Sequence, residues 1–294
     1  MPMRSSLTMV LLLLVAPVTR ASERILVVAH EGGQERTLRY RFEATNTTSD
    51  PVAGAHLLVY LPAATATQRL LRVDVSHAAH LERDDLGNAW VSIALPVLPP
   101  RAVVPVSITA AIAVDDQPRA LDGADPDALA PAPYIESTDP AVIALARSLP
   151  RTSEAWATAR AVYDLVLATV TPGVFEPKDL GAAHALASRS GDCTEMAYAT
   201  VALARAAGLP ARLAGGWVAP RSTLLSPGGY HNWAEIHDGT TWRVVDAHGR
   251  SFGEHPERYV ATHLGGIDHA GPLRGFHRFR ADHPALALRM LGAP

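Results

Sequence analysis

The chain has 294 residues, 48% of them hydrophobic and 19% charged, with a formal net charge of -3. That apolar content suffices for one large domain or two modest ones with real cores. No basic run exceeds a couple of residues, which argues against a phosphate-binding surface and against nucleic acid as a partner.

The opening residues carry one positive charge at Arg4, an apolar run from Leu7 to Val18 and small residues at Thr19 and Ala21. This order predicts an export signal over residues 1–21, and hence a periplasmic or secreted protein. The apolar run is too short to cross a bilayer comfortably, and no later segment is long and apolar enough, so no membrane span is expected. Export sharpens the meaning of Cys193, the only cysteine in the chain. It has no internal partner for a disulfide, so it is either a buried, inert thiol or one kept for its thiolate.

From residue 22 to 115 the chain favours strands. ILVVAH, TLRYRFEA, AHLLVYLP, RLLRVDVS, AWVSIALP and VVPVSITAAIAV are separated by turn-forming stretches, and several alternate, as in Leu38, Tyr40 and Phe42 around Arg39 and Arg41. A period of two suits a sheet with one wet face, and the set predicts a β-sandwich. His56, His77 and His80 are isolated there and read as surface or edge residues. Residues 116–133, rich in Pro, Asp, Gly and Ala without periodicity, read as a linker.

Residues 134–294 are predicted to form a second domain. Ser137 or Thr138 can cap a first helix, and Trp156, Ala159, Val162 and Val166 give a second one an apolar stripe. A third begins at Cys193, with Asp192 as its cap, Met196, Ala197, Val201 and Ala204 at helical spacing, and Gly208-Leu209-Pro210 as its stop. A thiol in a first turn faces free backbone N–H groups and the positive end of the helix dipole. Both favour a thiolate, and the same N–H groups can receive an oxyanion.

Beyond it, AGGWV reads as a strand, followed by a Pro/Ser/Gly loop. Tyr230 to Asp238 and Thr240 to Gly249 then read as a hairpin turning at Asp238-Gly239. His231, Trp233 and Glu235 share one face, as do Trp242, Val244 and Asp246. His231 and Asp246 lie seven residues either side of the turn, so they are expected to pair almost directly. A carboxylate beside an imidazole orients it and makes it more basic, so it can take a thiol proton. The expected roles are Cys193 as nucleophile, His231 as general base and then acid, and Asp246 as orienter. His237 and His248 are nearby and expected to fall outside this line. Trp217 and Trp233 are candidates for lining the substrate groove, with core packing as the competing reading. The histidines make no His-Glu-x-x-His motif and no second cysteine exists, so neither metal nor cofactor is expected.

SGDCTEMA, LARAAGLPAR, AGGWV, YHNWAEIHDG and TTWRVVDAHG together resemble the catalytic core of the transglutaminase-like superfamily, especially its bacterial members. The order Cys, His, Asp falls on Cys193, His231 and Asp246. The likeness extends over roughly residues 134–265 and includes Thr262-His263. It implies an α+β protein in which an N-terminal β-sandwich precedes a papain-like core, with Cys on a helix and His and Asp on an antiparallel sheet. It also implies cysteine-dependent acyl transfer on peptide or protein amides through a thioester. A cysteine protease or amidase using the same triad is the alternative, and a non-catalytic exported scaffold is a further one. Many relatives hold the oxyanion with an aromatic or amide side chain upstream of the cysteine. No Trp or Gln lies between Ala168 and Asp192, which leaves that donor unassigned. The tail from Gly271, mixing bases with apolar residues, is expected to be a solvated terminal segment.

Overall fold

The computed structural model describes residues 23–26, 33–121, 126–266 and 271–292. The predicted export signal over residues 1–21 lies outside the described residues, as do parts of the first expected strand and of the linker.

The first half is all strand: β1 (Glu23–Leu26), β2 (Gln34–Asn46), β3 (His56–Leu61), β4 (Gln68–Val75), β5 (Ala79–Arg83), β6 (Ala89–Ala94) and β7 (Val103–Val114). The alternation seen in the sequence is the pleat. In β2, Leu38, Tyr40, Phe42 and Ala44 are buried while Arg39, Arg41 and Glu43 point outwards or lie half-buried. Together with Leu57, Val59, Val91, Ile93, Ile108 and Ile112 they make one core between two sheets, a sandwich.

The second half supplies helices α1 (Pro140–Arg147), α2 (Ala155–Thr169), α3 (Ala182–Ser188) and α4 (Cys193–Ala206), with the short pair β8 (Thr171–Pro172) and β9 (Ser190–Gly191). Asp139, rather than Ser137 or Thr138, caps α1, accepting the N–H groups of Ala141 and Val142. Pro140 fixes the reason: its ring occupies the first helical position, so the cap is the residue just before it. Ala159, Val162, Tyr163 and Val166 of α2 are buried, as their spacing predicts. Strands β10 (Ala211–Val218), β12 (Tyr230–His237), β13 (Trp242–Asp246), β14 (Ser251–Phe252) and β15 (Tyr259–Leu264) form a five-stranded sheet in the order β14-β13-β12-β10-β15. Its Ala211, Leu213, Ala234, Ile236 and Val245 pack against α4. Trp233, Val244, Tyr259 and Ala261 on the other face meet Ala63 from the sandwich.

Strands from the second half also complete the sandwich. The outer edge of β2 is covered by β11 (Thr223–Leu224) at Leu38 and by β17 (Leu286–Met290) from Phe42 to Asn46, while β16 (Phe279–Ala281) pairs with β3. The tail is therefore not a solvated segment. The open edges of β2 and β3 recruit it, and the pairing satisfies backbone groups that an unpaired edge would expose.

Candidate active site

The residues that begin α4 explain its position. Asp192 Oδ1 accepts the Thr194 N–H at 2.7 Å, and Glu195 reaches back to the Asp192 N–H at 3.3 Å, closing a capping box. Only glycine fits at Gly191, because a Cβ there would come within 2.5 Å of Glu195 Cβ. Glu176 N–H also donates to Asp192 Oδ2 at 3.0 Å, tying the preceding loop to the helix start. Burial pushes the Glu195 carboxyl up to about 7, and its Asp192 neighbour adds to that. For Asp192 burial acts in the same upward direction, but hydrogen bonds from Glu195, Glu176 and Thr194 outweigh it and hold this carboxyl below the usual range. Cys193, the first residue of the helix, is half-buried, and its thiol lies near enough to the His231 ring to raise that imidazole.

His231 sits near the start of β12, where the ladder to β13 has already ended. That ladder runs from Ala234 opposite Val245 to His237 opposite Trp242. The loop is Asp238–Thr241, closed by Asp238 N–H donating to the Thr241 carbonyl at 3.0 Å, and Asp238 Oδ1 accepts the N–H groups of Thr240 and Thr241. The expected direct pairing of His231 with Asp246 is thus shifted: continuing the register sets Asp246 opposite Trp233. Because the shift is by an even number of residues, both side chains keep the face expected of them. They meet diagonally, with His231 Nε2 and Asp246 Oδ2 2.8 Å apart.

Asp246 is fully engaged. Its Oδ2 also accepts the Tyr259 hydroxyl at 2.9 Å, and its Oδ1 accepts the Gly249 N–H at 2.8 Å. Burial raises the Asp246 carboxyl, but its bond to His231, together with those from Gly249 and Tyr259, brings it below its usual range. Burial lowers the His231 imidazole, yet its bonds to Asp246 and Cys193 outweigh that and raise it to about 9. Since Nε2 faces Asp246, Nδ1 is the nitrogen left for Cys193. The His248 ring lies 5.5 Å from that of His231, and burial and the neighbouring positive charge lower it. His237 is buried edge-on against Trp242, away from this line.

Cys193 opens into a cleft of about 690 Å³, within the range of small-molecule and side-chain binding sites. One wall is the loop carrying Phe175, Glu176 and Asp179; the other is the segment from Gly275 to Phe279; Tyr230, Asn232 and Thr194 line it beside the sulfur. The second wall is tethered by Tyr230, whose hydroxyl donates to the His277 carbonyl at 3.2 Å, and by His277 Nε2, 3.4 Å from Asp179 Oδ2. Gly215 makes room here, since a Cβ would fall 2.1 Å from the Tyr230 hydroxyl.

The two candidate groove tryptophans are corrected by this geometry, as neither lines the cleft. Trp217 is 5% exposed, packs edge-on against Tyr40 and Tyr230, and donates its indole N–H to the Ser226 carbonyl at 2.8 Å. Trp233, 1% exposed, is wedged between the five-stranded sheet and the sandwich. On a strand packed on both faces, a large indole is core. Thr262 and His263 are also buried, Thr262 bonding the Gly215 carbonyl and His263 stacking on Tyr60. Sequence reasoning missed Tyr259, although it lies three residues before the Thr262-His263 pair it noted. It also missed Asn232, between two singled-out residues, and the whole C-terminal wall.

Residues 143–247 match the family model described as the transglutaminase-like superfamily. Among solved structures, the chain is similar to a candidate cysteine protease from Cytophaga hutchinsonii, at 16% identity and a TM-score of 0.58, covering 92% of each chain. A candidate protease from Parabacteroides distasonis matches at 15% identity and a TM-score of 0.33, over 70% of this chain and 42% of that one. The periplasmic domain of TgpA from Pseudomonas aeruginosa matches at 15% identity and a TM-score of 0.32, over 71% and 87%. No curated protein matches the chain by sequence. The chain carries a transglutaminase-like core over residues 143–247, preceded by a β-rich region.

Proposed function

We propose that the protein is a cysteine hydrolase of peptide or protein amides, a protease or amidase that works through a thioester on Cys193. The observation that carries this reading is the 2.8 Å hydrogen bond between His231 and Asp246 beside the Cys193 thiol, which itself lines a cleft. His231 takes the thiol proton, the sulfur attacks the amide carbonyl carbon, and the carbon–nitrogen bond breaks as the imidazolium returns the proton to the departing nitrogen. Asp246, fixed by Tyr259 and Gly249, holds the imidazole in the tautomer this exchange needs. Water, deprotonated by His231, then releases the acyl group. The fold shared over nearly the whole chain with a candidate cysteine protease favours water as the acceptor. Transfer to an amine, the activity the sequence resemblance implies first, uses the same thioester and differs only in what reaches it. The charged, apolar and small residues at 1–21 make this an exported activity, in the periplasm or outside the cell.

The test is alkylation of the pure protein by iodoacetamide across pH, alongside peptide hydrolysis. Cys193 should label well below pH 8.5 and lose that reactivity in His231→Ala. Labelling of both forms only near the free-thiol range, with no hydrolysis, would sink the enzyme reading and leave a scaffold.

A further inference from the structure

The C-terminal wall brings two basic side chains to the cleft, His277 and Arg278, and they differ in what they meet. His277 Nε2 lies 3.4 Å from Asp179 Oδ2 on the facing wall, and the same carboxylate accepts the Tyr198 hydroxyl at 2.7 Å. Asp179 is thereby taken. Arg278 has no carboxylate partner among the described residues. Its guanidinium lies over the Tyr230 ring at 5.3 Å and the Phe279 ring at 5.6 Å, and Nη1 donates to the Pro227 carbonyl at 3.0 Å. Elsewhere the fold sets arginines on carboxylates, as Arg160 on Asp164, Arg212 on Glu235 and Arg289 on Glu43. Arg278 is instead half-buried and held by two ring faces and one carbonyl, with the other N–H groups of its fork unused.

Tyr230 connects this guanidinium to the nucleophile. Burial pushes the Tyr230 hydroxyl up, Arg278 draws it back and Cys193 adds to the rise, so one phenol feels both groups. The facing wall carries the opposite sign. The exposed Glu176 carboxylate makes no ion pair among the described residues, and its one bond is from the Lys178 N–H at 3.2 Å. A negative charge entering the cleft is therefore repelled from one wall and drawn to the other.

We infer that Arg278 binds a carboxylate of the substrate, either an acidic side chain or a free C-terminus close to the bond that Cys193 attacks. This rests on the hydrolase reading above and adds the charge of the substrate to it. A planar fork matches the two oxygens of a carboxylate, and a fork already held on Tyr230 loses little freedom on binding. In a cleft partly shielded from water, a charged hydrogen-bonded pair of this kind is worth about 10- to 100-fold in affinity.

The experiment uses alanine-based hexapeptides that carry Glu or Gln at each position in turn, with free or amidated C-termini, and reads kcat/KM by mass spectrometry. In the unmodified protein the acid form should exceed its amide counterpart by about 10-fold or more, either at one Glu position or at the C-terminus. Which of the two responds tells the side chain from the chain end. That ratio should fall to about 1 in Arg278→Gln. A ratio near 1 throughout in the unmodified protein, or one that survives in the variant, would overturn the inference and leave Arg278 as a brace for the C-terminal wall. Should Arg278→Gln not fold, Arg278→Lys keeps the charge without the fork and should lower the ratio by about 3-fold or more; an unchanged ratio would again overturn it. Binding of fluorescently labelled forms of the same peptides to Cys193→Ala, followed by anisotropy, separates the two readings. The same preference for acid there, with no peptide cleaved by the unmodified protein, supports the carboxylate site and sinks the hydrolase. Cleavage without any preference does the reverse.

Discussion

The sandwich and the five-stranded sheet both bury polar side chains, but they use them differently. In the sandwich, neutral amides bond to backbone. Asn46 donates to the carbonyls of Asp50, Leu98 and Pro99; Gln68 spans the Ala63 and Ala261 carbonyls and the Ala261 N–H; Asn88 takes both the N–H and the carbonyl of Leu264. Around the cleft, side chains bond to one another: His231 to Asp246 to Tyr259, with the Cys193 thiol beside the imidazole, and Asn232 to Thr194. Bonds to the backbone fix loops and hold the halves together, and no proton need move along them. Chains of side-chain bonds shift charge between titratable groups, which is where perturbed acidities collect and where protons are transferred. The difference teaches that burial of polar groups marks function only when the partners are themselves side chains.

Four substitutions and a titration would break or sharpen this contrast. Cys193→Ala should have the largest effect, lowering amide turnover by about 10³-fold or more while leaving the thermal midpoint nearly unchanged. A large loss of stability would mean that the side-chain network serves the fold after all. Ile93→Ala, in the sandwich core and away from the cleft, should do the reverse. It should cost about 2–5 kcal/mol in denaturant unfolding with kcat per folded molecule intact. Gln68→Ala removes the staple between the halves and should cost about 1–3 kcal/mol, measured by the same unfolding curve. Tyr259→Phe removes one donor to Asp246 and should reduce kcat/KM by roughly 10-fold with little change in stability. The titration concerns His231, raised from 6.5 to about 9. A raised group stabilises the folded state fully below about pH 6.5, and that contribution is lost as pH rises through about 9. Turnover should decline over the same upper range as the imidazolium needed by the leaving nitrogen disappears. In Cys193→Ala, NMR titration of the ring should show a lower midpoint, since one of the two raising partners is gone.

Much of the site was legible because its signals are local. A lone cysteine after Gly191-Asp192, at the start of a helical pattern, announces a capped thiol. The alternation through His231 and Asp246 puts both on one face, and that survived the register shift only because the shift was even. The register itself was not legible: Asp238-Gly239 suggested a tight turn, whereas the hydrogen bonds of Asp238 to Thr240 and Thr241 widen the loop. Trp217 and Trp233 were ambiguous in sequence because an indole looks the same in a groove and in a core.

Composition and periodicity alone determined the order of the two halves, the sheet-forming first part, the helix that begins at Cys193 and the candidates proposed for nucleophile, base and orienter, since each follows from neighbours a few residues away. Only the tertiary structure decided that the C-terminal strands close the sandwich and wall the cleft, that Tyr259 steadies Asp246, and that Arg278 reaches the cleft over the Tyr230 ring. Those depend on partners far apart along the chain, such as β17 on β2 and Thr194 on Asn232, and contact over that distance is set by how the sheets stack rather than by any local pattern.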